Sequence, residues 1–158
     1  MSVPRPTAVT VRSFDQVTPD FVALTDEFDR ELREREGSLQ DIYFGFNRLD
    51  GIRDVVVAYD GGQPVGCASF KDRGEFTAEV KRVFVQPGHR GKGVSKLLMS
   101  ALEARALERG FRTLVLETGR AFTAACGLYR SLGYGEIPNY PPYVGLEHSI
   151  CFGKEIAP

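Results

Sequence analysis

The sequence predicts a single α/β domain built on a mixed sheet, and three observations carry that prediction. Seven short runs rich in β-branched and aromatic residues lie along the 158-residue chain, at 8–14, 55–59, 65–71, 76–85, 112–117, 134–137 and 149–156. Stretches with a helical apolar period fall between them in the order β-α-α-β-β-β-α-β-α-β-β, which is not the regular alternation of a doubly wound sheet. A glycine-rich turn joins the fourth run directly to an amphipathic helix. The chain is long enough to bury a core without staples, shows no repeat or linker, and reads as one domain over 1–158.

In the first strand Val9, Val11 and Ser13 alternate with Thr10, Arg12 and Phe14. Thr18-Pro19-Asp20 opens the first helix with a capping hydroxyl, proline at the first helical position and an acid in the first turn. Phe21, Leu24, Thr25, Phe28 and Leu32 form its buried stripe. The charged run 30–36 reads as a solvated tip without function, closed by Gly37. Leu39, Ile42, Tyr43, Phe46 and Leu49 keep helical spacing and predict a second helix within 38–54. Asp60-Gly61-Gly62-Gln63 makes the next two strands a hairpin, and a second turn at 72–75 leads into the fourth strand. The helix from 94 buries Val94, Leu97, Leu98, Ala101 and Leu102 and ends at Arg109-Gly110. Leu114-Val115-Leu116 marks a buried strand, and Gly119 opens a shorter helix over 120–132, ended by Gly133. The last two strands flank a proline-rich loop, 138–145, that carries Tyr140 and Tyr143.

The turn Arg90-Gly91-Lys92-Gly93-Val94-Ser95 is where chemistry first shows. At a helix N-terminus the unpaired amides and the helix dipole favour an anion, and glycines let that anion approach the backbone. Arg90 and Lys92 add full charges, so the turn reads as a phosphate cradle. Its spacing fits neither common nucleotide loop. Gly88 and Gly93 have the Walker separation, but Val94 stands where Lys belongs, and Lys96 replaces the third glycine of a dinucleotide fingerprint.

The stretch instead resembles the Arg-x-x-Gly-x-Gly/Ala motif of the GNAT acyltransferase superfamily, with Arg90, Gly93 and Ser95 at its three positions and Val85-Gln86-Pro87 as lead-in. Ser95 departs from the usual Gly or Ala, but it is small and its hydroxyl can meet a phosphate. Ala78-Glu79-Val80, Leu116-Glu117-Thr118-Gly119 and the block from Ala125 through Leu128-Tyr129 to Gly133-Tyr134 also resemble the family, in the right order over residues 8–156. The element order is the family's as well.

The resemblance implies acetyl-CoA as cosubstrate, no metal, and an amine acceptor on a small molecule or peptide. The diphosphate would lie on 90–95. The thioester would lie along Val83, Phe84 and Val85, where a strand amide polarises the carbonyl and the edge pairs with the amide-bearing pantetheine. Glu79 is implied as first choice of base and Glu117 as second. A base is needed because an alkylamine of pKa about 10.4 is neutral in only about one molecule per few thousand at pH 7. Tyr129 is implied as the acid that reprotonates the departing sulfur, against the alternative of a core tyrosine on an amphipathic helix. Phe122 departs from the Asn or Gln of relatives that contact the cofactor there. Tyr43, Phe46 and Asn47, with Tyr140 and Tyr143, would line an aromatic acceptor pocket. Pairing of two copies through the last strands is common in the family. The other reading of the same fold is an acyl-CoA sensor that binds without turnover.

Composition bounds the rest. A net charge of −1 argues against general nucleic-acid or membrane-surface binding, which would need a basic excess. The N-terminal ten residues lack the apolar run of a signal peptide, and no stretch reaches membrane-spanning length. Cys67, Cys126 and Cys151 have no metal or redox spacing and read as small buried residues in a reducing cytoplasm.

Overall fold

The computed structural model describes residues 8–157, so the first seven of the ten N-terminal residues read above lie outside the described part. Eleven helices and strands follow in the predicted order: β1 (Val9–Phe14), α1 (Pro19–Glu36), α2 (Gln40–Tyr43), β2 (Asp54–Asp60), β3 (Gln63–Asp72), β4 (Thr77–Val85), α3 (Val94–Glu108), β5 (Thr113–Gly119), α4 (Thr123–Ser131), β6 (Gly135–Ile137) and β7 (Ser149–Glu155). The strands form one mixed sheet of order β1-β2-β3-β4-β5-β7-β6, antiparallel except where β4 meets β5.

The sheet is buried on both faces, which is why β2 reads as an unbroken Val55-Val56-Val57-Ala58 run. On one face Val55, Val57, Cys67 and Phe84 pack under Phe21 and Leu24 of α1. On the other, Val56, Ala68, Val85 and Leu116 meet Leu98, Met99 and Leu102 of α3. α1 starts as its sequence directs, with the Thr18 hydroxyl accepting from the Phe21 amide at 3.2 Å. The C-terminal end of α3 is tied to the sheet by the buried Asp54, which accepts from Arg105 Nε at 2.7 Å and Arg109 Nε at 3.1 Å. Asp54→Ala leaves the mostly buried Arg105 with only the exposed Asp15 as carboxylate partner and is expected to cost about 2–3 kcal/mol, read as a lower urea midpoint at unchanged m.

Three local expectations change. The second helix is a single α-turn, α2, between two 3₁₀ turns at Gly37–Leu39 and Phe44–Asn47. Gly45 interrupts it, and Ile42 is half exposed instead of lying in a buried stripe. α4 starts at Thr123, because Phe122 N–H closes a turn back on Gly119 at 2.9 Å. Leu97 is 46% exposed while Met99 is fully buried, so the buried line of α3 runs Val94, Leu98, Met99, Leu102, Ala106.

The feature that positions the site is a gap in the sheet. β4 pairs with β5 only from Thr77 to Glu79. Beyond that point β4 stays with β3 up to Val85, and β5 stays with β7 up to Gly119. The two central strands therefore splay, and the edge of β4 from Val80 to Val85 faces an open wedge.

Candidate active site

A cavity of about 560 Å³ fills this wedge and continues to the N-terminus of α3. At its α3 end, Gly91 and Gly93 have φ of +75° and +80°, the left-handed region that favours glycine. A Cβ built on either meets nothing within 4 Å, so these glycines leave space and serve no packing role. Gly93 caps α3 without a side-chain bond, and among the described residues the Val94, Ser95 and Lys96 amides have no acceptor. That arrangement fits a diphosphate. Arg90, Gly91, Gly93, Val94 and Ser95 line the cavity; Lys92 is exposed beside it and does not. Arg90 is less free than its charge suggests. Its Nε donates to Val85 O at 2.8 Å and its Nη2 to Glu31 at 2.8 Å, so it braces the turn against β4 and α1.

Along the wedge, Val83, Phe84 and Val85 line the cavity through the β4 edge. Gln86 N–H and Phe84 face β3, so the alternation of a strand turns the Val85 amide into the wedge. The Phe84 ring points the other way, stacked on Phe28 at 5.1 Å. Tyr129 approaches from α4, buried among Tyr134 and Phe152, and among the described residues its hydroxyl has no hydrogen-bond partner. Burial pushes its phenol well above the usual tyrosine range.

At the far end the two carboxylates differ. Glu79 is buried and fully engaged: Tyr140 donates to Oε2 at 2.8 Å, with Lys81 Nζ and Arg73 Nη1 each at 3.5 Å. Glu117 has no cation within salt-bridge distance among the described residues. It accepts from Ser149 Oγ at 2.6 Å, and Ser149 shares a 2.8 Å hydrogen bond with the Tyr43 hydroxyl. Burial is the main cause that raises the Glu117 carboxyl to about 7; the Ser149 hydroxyl and Lys81 pull it down, while Glu79 and Glu36 push it further up. Burial likewise lowers Lys81, which is held by Phe46 O at 3.0 Å and the Tyr143 hydroxyl at 2.7 Å.

Tyr43, Asn47 and Tyr143 line the cavity with both carboxylates. Phe46 and Tyr140 sit behind them: Phe46 packs edge-on against Tyr43 and Tyr143, and Tyr140 against Tyr143. The charged run of α1 is not an idle tip. Glu31 braces Arg90, and Arg35 and Glu36 form part of the cavity wall, with Arg35 over the Phe122 ring at 4.5 Å. Ser149 is the other member that sequence reasoning missed; its contact with Glu117 spans two strands and no local pattern announces it. All three cysteines are free and buried, and the described residues contain no group of three or more potential metal ligands. No helix among them is long and apolar enough to cross a membrane.

Comparison with known proteins bears on the family and the fold. A family model described as acetyltransferase (GNAT) family matches residues 19–134. The chain is 36% identical over 138 residues to the IAA acetyltransferase of Azospirillum brasilense, across 85% of this chain and 90% of that one. It is 38% identical over 139 residues to the L-methionine sulfoximine/L-methionine sulfone acetyltransferase of Pseudomonas aeruginosa, across 84% and 76% respectively. Among solved structures, a Klebsiella pneumoniae chain assigned to the acyl-CoA N-acyltransferases superposes with a TM-score of 0.79 at 28% identity, covering 94% of this chain and 98% of that one.

Proposed function

This chain belongs to the GNAT acetyltransferase family and is an acetyl-CoA-dependent acyltransferase; from there we propose that it acetylates the primary amine of a small molecule or peptide by direct attack, with Glu117 as base and Tyr129 as acid. One observation carries the reading: a carboxyl raised to about 7 and a bare phenol hydroxyl both lie on the wedge whose other wall is the unpaired β4 edge.

The bound cosubstrate supplies an activated acyl group as a thioester. The chain's own residues do the rest. Amides of Val94 to Lys96, with Gly91 and Gly93 giving room, hold the diphosphate. The β4 edge pairs with the pantetheine arm, and an amide in the Val83–Val85 stretch donates to the carbonyl oxygen as it gains charge. Glu117, ionised above about pH 7, takes the proton of the incoming ammonium, and Ser149 with Tyr43 orients its carboxylate. Glu79, held by Arg73, Lys81 and Tyr140, fixes the loop that bears Tyr140 and Tyr143 and shapes the acceptor side. Tyr129 stays protonated across the neutral range and has a proton to give to the departing sulfur.

The two curated relatives bear names that specify small-molecule acetylation in one case at least, L-methionine sulfoximine and its sulfone, and this supports a small acceptor over a macromolecule. The test is release of free thiol from acetyl-CoA across a panel of small amines and peptides. Tyr129→Phe is expected to lower kcat by about 10²-fold while the KM for acetyl-CoA moves little. Tight CoA binding without thiol release on any amine would replace the enzyme reading by the sensor one.

A further inference from the structure

Arg82 stands out because it is strained, buried and under-satisfied at once. It has φ of +60°, the left-handed region, in the middle of a strand. Across from it the register skips: Cys67 faces Phe84 and Ser69 faces Lys81, so β4 carries one extra residue, a bulge at 82–83. The Arg82 side chain is 2% exposed. Its Nη2 donates to Thr25 O at 2.8 Å and to Asp29 Oδ1 at 2.7 Å, both on α1. The guanidinium lies 5.1 Å from the centre of the Phe28 ring, and the Cys67 thiol donates to the Arg82 carbonyl at 3.4 Å. Nε and Nη1 are buried with no partner among the described residues.

We propose that Arg82 is a positioning residue for acyl transfer: its tether to Thr25 and Asp29 of α1 holds the β4 bulge so that the Val85 amide points into the wedge. Stability alone does not account for the residue. Glycine would carry a positive φ without strain, and an apolar side chain would fill the space without two desolvated, unpaired nitrogens. A strained and incompletely bonded arginine is retained where the geometry it enforces matters more than its own cost. The position agrees. The bulge sits on the free stretch of β4, and α1 also sends Glu31 to Arg90, so one helix braces both the proposed carbonyl donor and the phosphate turn.

The inference rests on the proposed placement of the thioester along Val83–Val85, and the experiment separates the two. Infrared spectra of the full chain with acetyl-CoA carrying a ¹³C-labelled carbonyl report how strongly that carbonyl is polarised. The parent band is expected below that of free acetyl-CoA. Arg82→Gly, which removes the backbone strain along with the tether, is expected to lose this shift and about 10²-fold in kcat, with KM for acetyl-CoA changed by no more than about threefold. Arg82→Lys, which reaches Asp29 with a single ammonium, recovers a large part of both. Asp29→Asn weakens the tether from the other side without touching the bulge and moves both readouts in the same direction as Arg82→Gly. An Arg82→Gly or Asp29→Asn protein with the parent band and parent kcat overturns the role of Arg82 alone. So does loss of CoA affinity in step with kcat that lysine fails to rescue, which marks a folding role. A parent band that does not shift removes the carbonyl donor itself and this inference with it.

Discussion

Glu117→Gln is expected to abolish nearly all turnover and, above neutral pH, to make the protein more stable. Both effects follow from one cause, the burial that raises this carboxyl to about 7. A base tuned to that value is half ionised at neutral pH and still strong enough to take a proton, so its loss is expected to lower kcat by about 10³-fold. In the parent, kcat/KM should rise with pH along a limb centred near 7, and in the variant that limb should vanish. The stability effect has the opposite sign. The folded-state value lies above the ordinary 4.5, so folding favours the protonated form. The stabilisation is complete below the unfolded value and is lost as pH rises through about 7. Glutamine cannot ionise and carries no such dependence. Between pH 5 and pH 8 the variant should therefore gain on the parent by up to about 3 kcal/mol, read from urea midpoints at each pH. A variant that loses activity without this gain would mean that Glu117 is not desolvated in the folded protein. Glu79→Gln separates the roles: it leaves Arg73 and Lys81 without their shared carboxylate and should destabilise at both pH values.

Much of this molecule is legible in its sequence where the constraint is local. The Val55–Ala58 run can only be a strand buried on both faces, Thr18 is a cap because its hydroxyl reaches its own helix, and Gly93 is needed where φ is positive. What is not legible depends on partners far along the chain. Ser149 reaches Glu117 only because β7 pairs with β5, and the proposed choice of Glu117 over Glu79 rests on ion pairs that Glu79 makes and that Glu117 lacks among the described residues. The charged end of α1 shows another limit. Periodicity marks a polar face, but a face turned to bulk water and one turned to an open cavity read alike, and Glu31, Arg35 and Glu36 are of the second kind. Arg82 is harder still. Nothing in Lys81-Arg82-Val83 marks a left-handed residue, because the conformation comes from a side chain anchored on α1 rather than from local preference.

The phosphate turn admits a sharper test than its charges suggest. Gly93→Val is expected to weaken CoA binding by about 10²-fold in calorimetry, roughly what the loss of two hydrogen bonds to a charged group predicts. The substitution forces a β-branched residue to φ of +80° and puts its side chain into space where a Cβ meets no protein atom. Arg90→Gln should cost less, about tenfold, even though it removes a full charge, since that guanidinium already serves Val85 O and Glu31. A purely electrostatic cradle predicts the reverse order. The donor can be varied to show where the loss arises. An acetyl thioester of pantetheine lacks the diphosphate, so Gly93→Val and the parent should use it with similar kcat/KM while differing strongly with acetyl-CoA. Equal losses on both donors would place the damage in the wedge and leave the amides of Val94 to Lys96 without the ligand assigned to them.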